Sequence, residues 1–305
     1  MEQFSEMVKS HMEQHFGDEY QIQVCKVRKN NGVCRTGLNI IKKDKAAVPT
    51  VYLDFYLEEY QQGRELEKIY QDIISVYEQH KDDVAFDSSI LTDFEKVRER
   101  ICLKLINLEK NQAMLEEAPY IIFQDLAIVF YVSFLENEGS FSIDVNHSML
   151  EEWGQKLDLE ELYNLALQNT QRIFKEELIP MEELIADLLK AKPESEPVIR
   201  SIENKGEVSM YVASNALKIN GAAVLLYPGF LKAFADKTGG DFYILPSSVH
   251  ETIFVPADGK NQIQELALMV KEVNETQVLP EEILSDNLYL YSRQDDNITI
   301  YSQQK

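Results

Sequence analysis

The strongest constraint on the fold is an internal repeat, in which residues 101–170 and 208–276 show the same series of features. Each block begins with a strand-like run that ends at an Asn and continues through a turn or helix with one Pro. An Asp then precedes an apolar strand, a second strand ends at a Val, and an amphipathic helix closes the block. The matched positions are Asn107 and Asn215, Pro119 and Pro228, Asp125 and Asp241, Val145 and Val255, and Asn169 and Asn274. Because a repeat of this kind sets the architecture, the sequence predicts two copies of a β-α-β-β-α unit.

Tight turns join the strands of each block, which favours an α+β fold of mainly antiparallel sheets with helices on one face. The pattern does not alternate strand and helix as a Rossmann-type sheet does. We expect residues 1–92 to form an N-terminal helix, a basic hairpin and a further helix that pack on the first repeat. The first repeat then covers 93–191, a linker rich in Pro, Glu and Ser covers 192–206, and the second repeat with a C-terminal hairpin covers 207–305.

The Asn-Asn-Gly sequence at 30–32 predicts the turn of the N-terminal hairpin. A two-residue turn at positions 31 and 32 would place Cys25 opposite Leu38, so that Cys34 lies too far from Cys25 for a disulfide. A different turn could align the two thiols. The third cysteine, Cys102, has no obvious partner, and no His stands at metal-ligand spacing from any cysteine. We therefore expect three reduced thiols and no zinc site.

The net charge is −22, and the basic residues are concentrated near the N-terminus. Residues 26–45 contain seven Lys or Arg and one acid, Asp44, whereas residues 51–305 carry a net charge of −24. A field of this sign repels phosphate and anionic membranes, which disfavours direct nucleic-acid binding and leads us to expect a protein partner. Two interpretations remain open. In the first, the acidic surface keeps the protein soluble, and the basic hairpin packs against it. In the second, the acidic surface attracts a basic partner such as a DNA-binding protein.

No segment of the sequence has the features of a secretion signal or a membrane-spanning helix. The N-terminal residues are polar and acidic and lack an apolar signal region. The longest apolar run, 126–135, is about half the length that a transmembrane helix requires. We therefore expect a cytoplasmic protein without a membrane partner.

The second block contains the polar residues that most favour a binding site. The candidates are Asn215, Asn220, Asp241, Ser247, Ser248, His250 and Glu251. Two hydroxyls, an imidazole and a carboxylate within five residues are the groups that nucleophilic catalysis uses. In an extended strand, however, Ser248 and His250 share one face while Glu251 points to the other. We therefore assign no catalytic residue, and the alternative is that the two serines form a turn before the next strand.

No metal or cofactor motif accompanies these candidates. His250 and Glu251 lack the second His, four residues after the first, that a helical zinc-protease motif requires. The turns at 220–223 and 238–241 lack the Gly-Lys-Ser/Thr of a phosphate-binding loop. We expect no metal site and no cofactor.

The chain resembles an uncharacterised bacterial family of unknown function over nearly its whole length. The resemblance rests on the segments VPTVYLDFYLEEYQQG, MLEEAPYIIFQDLAIVF, YNLALQNT and, most specifically, NGAAVLLYPGFLKAFADKTGGDFYILPSSVHE. It implies a cytoplasmic bacterial protein that is often present in several copies and near mobile-element genes. It implies no reaction, cofactor or site residue.

Together these features favour a non-enzymatic cytoplasmic interaction protein whose acidic surface and cleft between the repeats engage another macromolecule. A variant of this hypothesis is an anti-defence protein that mimics the charge of nucleic acid. The alternative is a small-molecule enzyme or binder with its site in the second repeat. That alternative requires the polar candidates to converge on one pocket.

Overall fold

Two groups of residues form separate units in the computed structural model, which describes residues 1–43, 50–81, 88–136, 139–154, 157–190, 210–257 and 263–301. The first unit comprises residues 1–96 and 134–141, and the second comprises 97–133 and 142–305. The predicted linker, 192–206, lies outside the described residues.

The first unit packs helices against a three-stranded antiparallel sheet with the order β1-β2-β3. Its elements are α1 (Glu2–Phe16), β1 (Tyr20–Arg28), β2 (Cys34–Lys42), β3 (Thr50–Tyr52), α2 (Asp54–Gln61) and α3 (Leu66–His80), with α4 (Phe94–Val97) at the boundary. Alternate strand residues and the apolar stripes of α1 and α3 form its core, which includes Phe4, Val8, Met12, Ile22, Leu38, Ile40, Ile69, Ile73 and Tyr77. The first unit therefore contains an N-terminal helix, a hairpin and a later helix.

The N-terminal hairpin has a register one residue away from the predicted one. Its loop contains three residues, Asn30–Gly32, and Asn31 adopts the left-handed conformation with a φ of 60°. Cys25 therefore pairs with Gly37 and not with Leu38, so the predicted register is wrong. A one-residue slip also reverses the face to which each side chain points. All three cysteines are nevertheless free thiols, as predicted.

The second unit contains two antiparallel sheets. The first sheet is built from β4 (Ile101–Asn107), β5 (Tyr120–Phe123), β6 (Leu126–Glu136) and β7 (Gly139–Asp144), in the order β4-β6-β5 with β7 also paired to β6. Residues 134–136 of β6 and 139–141 of β7 belong to the first unit. The second sheet has the order β13-β12-β10-β11-β9-β8, with strands β8 (Glu176–Pro180), β9 (Tyr211–Asn215), β10 (Phe242–Leu245), β11 (Thr252–Pro256), β12 (Tyr289–Ser292) and β13 (Asn297–Ile300). The helices are α5 (Gln112–Leu115), α6 (His147–Glu152), α7 (Leu159–Ile173), α8 (Met181–Lys190), α9 (Phe230–Thr238) and α10 (Ile263–Thr276). Helices and antiparallel sheets confirm the α+β class.

Helices cover both faces of the six-stranded sheet, so the expectation of helices on one face is wrong here. On one face the ring of Phe234 in α9 packs against Phe242, with 4.7 Å between ring centroids. On the other face Val270 of α10 packs in a cluster with Tyr243. Phe242 and Tyr243 are neighbours in β10 and point to opposite faces, so each contacts a different helix.

The two predicted repeats share a strand order but not the predicted correspondence of residues. In both blocks the third strand lies between the first and the second, as β4-β6-β5 and as β9-β11-β10. Asp125 precedes β6, the third strand of its block, whereas Asp241 precedes β10, the second strand. Val145 follows a fourth strand, β7, whereas Val255 lies within the third strand, β11. These two pairings are therefore wrong, and the equivalence of the blocks stays a prediction.

Candidate functional site

His250 follows the loop after β10 and is half-exposed at one end of the six-stranded sheet. Its Nδ1 accepts a hydrogen bond from the backbone N–H of Asn220 at 3.3 Å, and its Nε2 lies 3.6 Å from Oε1 of Glu282. Because Nδ1 is an acceptor, the neutral ring carries its proton on Nε2 and directs it towards Glu282. The backbone N–H of His250 donates to Oγ of Ser248 at 3.1 Å, so this hydroxyl stabilises a local turn.

Asn215 and Asn220 shape the chain that packs behind His250. Oδ1 of Asn215 accepts hydrogen bonds from the backbone N–H groups of residues 217 and 219, and its Nδ2 donates to the carbonyl of Ile219 at 2.7 Å. Asn220 adopts a left-handed conformation with a φ of 49°. The turn brings Gly221 against the carbonyl oxygen of His250, where a Cβ would lie only 2.2 Å away. The Asn215 side chain therefore holds the backbone of this turn, and Asn220 contributes its left-handed conformation and its backbone N–H.

Ser247 and Ser248 are buried, and the structure uses their backbone to join two segments. The carbonyl of Ser247 accepts a hydrogen bond from the N–H of Leu284 at 3.0 Å, and Ser248 forms an isolated bridge with Ile283. These contacts agree with the turn-forming alternative considered above. Glu251, the next acidic candidate, is exposed.

Asp241 lies at the opposite end of the β10–β11 hairpin from His250, since the strand between them runs from Phe242 to Leu245. Its Oδ1 accepts a hydrogen bond from the backbone N–H of Arg293 at 2.9 Å. The Arg293 side chain in turn pairs with Asp236, with Nε to Oδ1 at 2.9 Å. The seven candidates are thus divided between two ends of a strand pair, and they do not form one pocket.

The sequence did not predict the polar junction around Asp125. Its carboxylate accepts hydrogen bonds from Ser285 Oγ at 2.6 Å, from Asn287 Nδ2 at 2.9 Å and from the hydroxyl of Tyr289. Burial, followed by the charge of Asp125, raises the pKa of the Tyr289 hydroxyl, which therefore stays protonated as a donor. Three donors therefore bind one carboxylate, and this junction joins the two sheets of the second unit. The Asp125 carboxylate has a structural role here.

Cys102 is the buried thiol of the second unit, and its environment makes it a poor nucleophile. Burial raises the pKa of the thiol to about 12. A cysteine reacts as its thiolate, which is scarcely populated at neutral pH in such a site. Over the described part of the chain, no three His, Cys, Asp or Glu side chains stand close enough to hold a metal ion.

An open apolar groove of about 650 Å³ runs beside β5 in the second unit. Its walls come from three places, which are β5 with β6, the first turns of α7, and the turn at 221–226. The residues that line it from β5 and α7 are Ile121, Ile122, Phe123, Leu159, Glu160 and Tyr163. Burial raises the pKa of the Tyr163 hydroxyl, so this group is a neutral hydrogen-bond donor. The groove combines an apolar surface with two polar groups at its rim.

A local signal for part of this groove is present in the sequence. The run Tyr120–Phe123 is apolar, and the pair Gln124 and Asp125 separates it from the long apolar strand β6. Gln124 has a φ of 58°, which is the conformation that a tight hairpin turn requires. The walls formed by α7 and by the turn at 221–226, in contrast, are distant from β5 in the sequence. Only the tertiary structure shows that they lie beside it.

None of the helices in the described ranges combines the length and the apolar run that crossing a bilayer requires.

The comparisons with known proteins identify a family and no further relative. A family model described as a family of unknown function, DUF5688, matches residues 1–293. No curated protein and no solved structure matches the chain. The match spans both units and includes the groove beside β5, the Asp125 junction and His250. The chain therefore belongs to DUF5688, a family of unknown function.

Proposed function

We propose that this protein is a non-enzymatic interaction protein that binds a segment of a partner protein in the groove beside β5. The observation that carries the proposal is the exposure of large apolar side chains around the groove. Leu159, which lines the groove, is 41% exposed, and Ile122 and Tyr120, which project from the other face of the adjoining strand β5, are 62% and 36% exposed. Exposed apolar side chains that cluster in this way are typical of surfaces that bind another protein.

The charge of the protein supports a basic partner. The net charge is −22, and the charged side chain that lines the groove is that of Glu160. Electrostatic attraction would speed the encounter with a basic protein and would discriminate against acidic ones. A cytoplasmic location is part of this proposal.

The narrower hypothesis of an anti-defence protein that mimics nucleic acid depends on the charge alone. Its test is to measure affinity for basic nucleic-acid-binding proteins across a salt series. Affinity that does not fall as salt rises would remove the electrostatic argument.

The alternative function, a small-molecule enzyme or binder in the second block, has less support. It requires His250 and Asp241 to face a common pocket, and they lie at opposite ends of the β10–β11 hairpin. The Ser248 hydroxyl accepts a hydrogen bond from the backbone N–H of His250, while the two ring nitrogens of His250 face the N–H of Asn220 and the carboxylate of Glu282.

The groove proposal is tested by selecting random peptides displayed on phage against the wild-type protein. The selected peptides are then measured on Ile121→Gln and Leu159→Gln, with Leu268→Gln as the matched control. Leu268 is 67% exposed on α10 and does not line the groove. We expect each groove variant to lose about ten-fold or more in affinity, because each removes a large apolar side chain from the interface. Equal affinity for all variants, or a selection without binders, would contradict the proposal.

A further inference from the structure

We propose that the partner segment binds as an extended strand on the free edge of β5 and presents a Lys or Arg to Glu160. This inference rests on the proposed function, because it names the chemistry of the segment that the groove receives. It depends on three separate observations, which are the unpaired edge of β5, the position of the groove along that edge, and the unpaired carboxylate of Glu160.

The edge of β5 is available for pairing. Among the described residues, β5 pairs only with β6, at the end of the order β4-β6-β5. The two-residue connection between the strands makes Phe123 and Leu126 the closing pair, and hydrogen-bonded pairs alternate along antiparallel strands. Tyr120 and Ile122 therefore direct their backbone N–H and C=O groups away from β6. An edge of this kind is a template for an added strand.

The groove lies where the side chains of an added strand would point. Ile121 and Phe123 project to the face on which Ile128 and the first turns of α7 stand, and all of these residues line the groove. Successive residues of an added strand alternate between the two faces, so every second side chain would enter the groove. Four residues of β5 span about 13 Å, which limits the paired part of the partner to about four residues.

The charge at the rim selects a basic side chain on the partner. Glu160 stands in the first turn of α7, and its carboxylate has no hydrogen-bond or ion-pair partner among the described residues. The hydroxyl of Tyr163, one helical turn further, is likewise unpaired among them. No Lys or Arg belongs to the groove lining that the structure describes. A Lys or Arg of the partner would compensate the charge of Glu160 at the edge of an apolar surface.

The same charge argues against a second copy of this chain as the occupant. Two copies paired through β5 would bring two Glu160 side chains into one interface, between molecules that each carry −22. Like charges placed across an interface disfavour association. The occupant that fits the groove is a basic, alternately apolar segment of a different protein.

The test uses a capped synthetic nonapeptide in which valine alternates with lysine and threonine, measured by fluorescence anisotropy on the full-length protein. Two derivatives carry single backbone N-methyl groups, one at a position that would face β5 and one at the next position. We expect the first derivative to bind at least ten-fold more weakly, because it cannot donate to the edge, and the second to bind unchanged. Glu160→Gln should weaken the parent peptide about five-fold at low salt and reduce its salt dependence. Glu151→Gln, an exposed acid on α6 outside the groove, is the matched control and should have no effect.

Each other outcome has a definite meaning. Binding in the groove that neither N-methyl group affects overturns the strand inference and leaves the proposed function standing. Failure of the nonapeptide, while displayed peptides bind and respond to Leu159→Gln, also overturns only the strand inference. If Leu159→Gln leaves all peptide binding unchanged, the proposed function fails. A dimer in sedimentation that Leu159→Gln dissociates would make a second copy the occupant and overturn the inference.

Discussion

The carboxylate of Asp125 accepts a hydrogen bond from the hydroxyl of Ser285 at 2.6 Å, across 160 positions of sequence. The side chains of Asn287 and Tyr289 donate to the same carboxylate. A residue just before the long strand of the first sheet is thereby fixed to the segment that leads into β12 of the second sheet. This contact makes Asp125 a determinant of stability.

Replacing Asp125 should destabilise the protein. Asp125→Ala removes one acceptor and leaves three donors without their partner, so we expect the free energy of unfolding to fall by about 2–4 kcal/mol. Tyr289→Phe removes a single donor and should cost about 1 kcal/mol. Urea denaturation followed by circular dichroism measures both values. Glu151→Ala, on the exposed surface of α6, is the control and should change stability by less than about 0.5 kcal/mol. A similar loss in this control would contradict a specific role for Asp125.

Two glycines should respond very differently to the same substitution. In Gly221→Ala the new Cβ would lie 2.1 Å from Ser214 Oγ and 2.2 Å from the carbonyl oxygen of His250. The backbone must shift to relieve these contacts, so we expect a loss of about 3 kcal/mol or more in the free energy of unfolding. Gly240→Ala meets no described atom within 4 Å and should be tolerated within about 1 kcal/mol. The ranking of the two variants in thermal melts checks the prediction, and equal melting temperatures would disprove it.

The cysteines should differ in reactivity by location. Cys34 is exposed in the N-terminal hairpin, whereas Cys102 is buried and its thiol has a pKa of about 12. At about pH 8 we expect a maleimide to label Cys34 rapidly and to label Cys102 only after unfolding, because the thiolate is the reactive form. Peptide mass spectrometry of the labelled protein, with and without urea, identifies the modified sites. Rapid labelling of Cys102 in the folded protein would contradict the prediction, because it would show that the thiol is accessible.

Stability should fall steeply at alkaline pH because several buried tyrosines, Tyr227 and Tyr289 among them, have raised pKa values. Burial raises the pKa of Tyr227 and of Tyr289 above the unfolded value of about 10. Above that pH the unfolded chain binds fewer protons than the folded chain, so stability falls as pH rises, by up to about 1.4 kcal/mol per pH unit for each tyrosine. Below it, neither group contributes to the pH dependence.

The measurement is urea denaturation at several values between about pH 9 and pH 11, for the wild type and for Tyr289→Phe. The variant should start from a lower stability but show a shallower decline, since one titrating group is absent. Parallel curves for the two proteins would show that Tyr289 titrates normally in the folded state.

Local sequence patterns predicted local structure well. Asp158 and Glu161 have the spacing of a capping box, and they form its reciprocal hydrogen bonds at 2.8 and 3.2 Å at the start of α7. A glycine is the typical residue after the last turn of a helix, and Gly239 occupies the C-cap of α9 with a φ of 85°. These features depend on residues within four positions of each other, so the interactions that stabilise them can be identified from a short stretch of sequence.

Features that depend on distant residues were not predictable in the same way. The hairpin register failed because Asn31 adopts a left-handed conformation inside a three-residue loop, an outcome that composition alone does not distinguish from a two-residue turn. The polar candidates of the second block looked convergent because they are close in sequence, yet the strand between Asp241 and His250 separates them. The groove beside β5 required knowledge of which helix lies against which strand edge.

The pairing of β8 with β9 has a consequence for cutting the chain in two. β8 (Glu176–Pro180) precedes the predicted linker and β9 (Tyr211–Asn215) follows it, yet five residue pairs join these strands in one sheet. Fragments divided between them would each carry half of a ladder, so neither half would be an autonomous folding domain. Mixed together, the two fragments should reassemble non-covalently through that ladder. For the same reason the intact chain should tolerate insertions between β8 and β9, because the ends of the connection are already held together and doubling its length costs only about 0.6 kcal/mol in closure entropy.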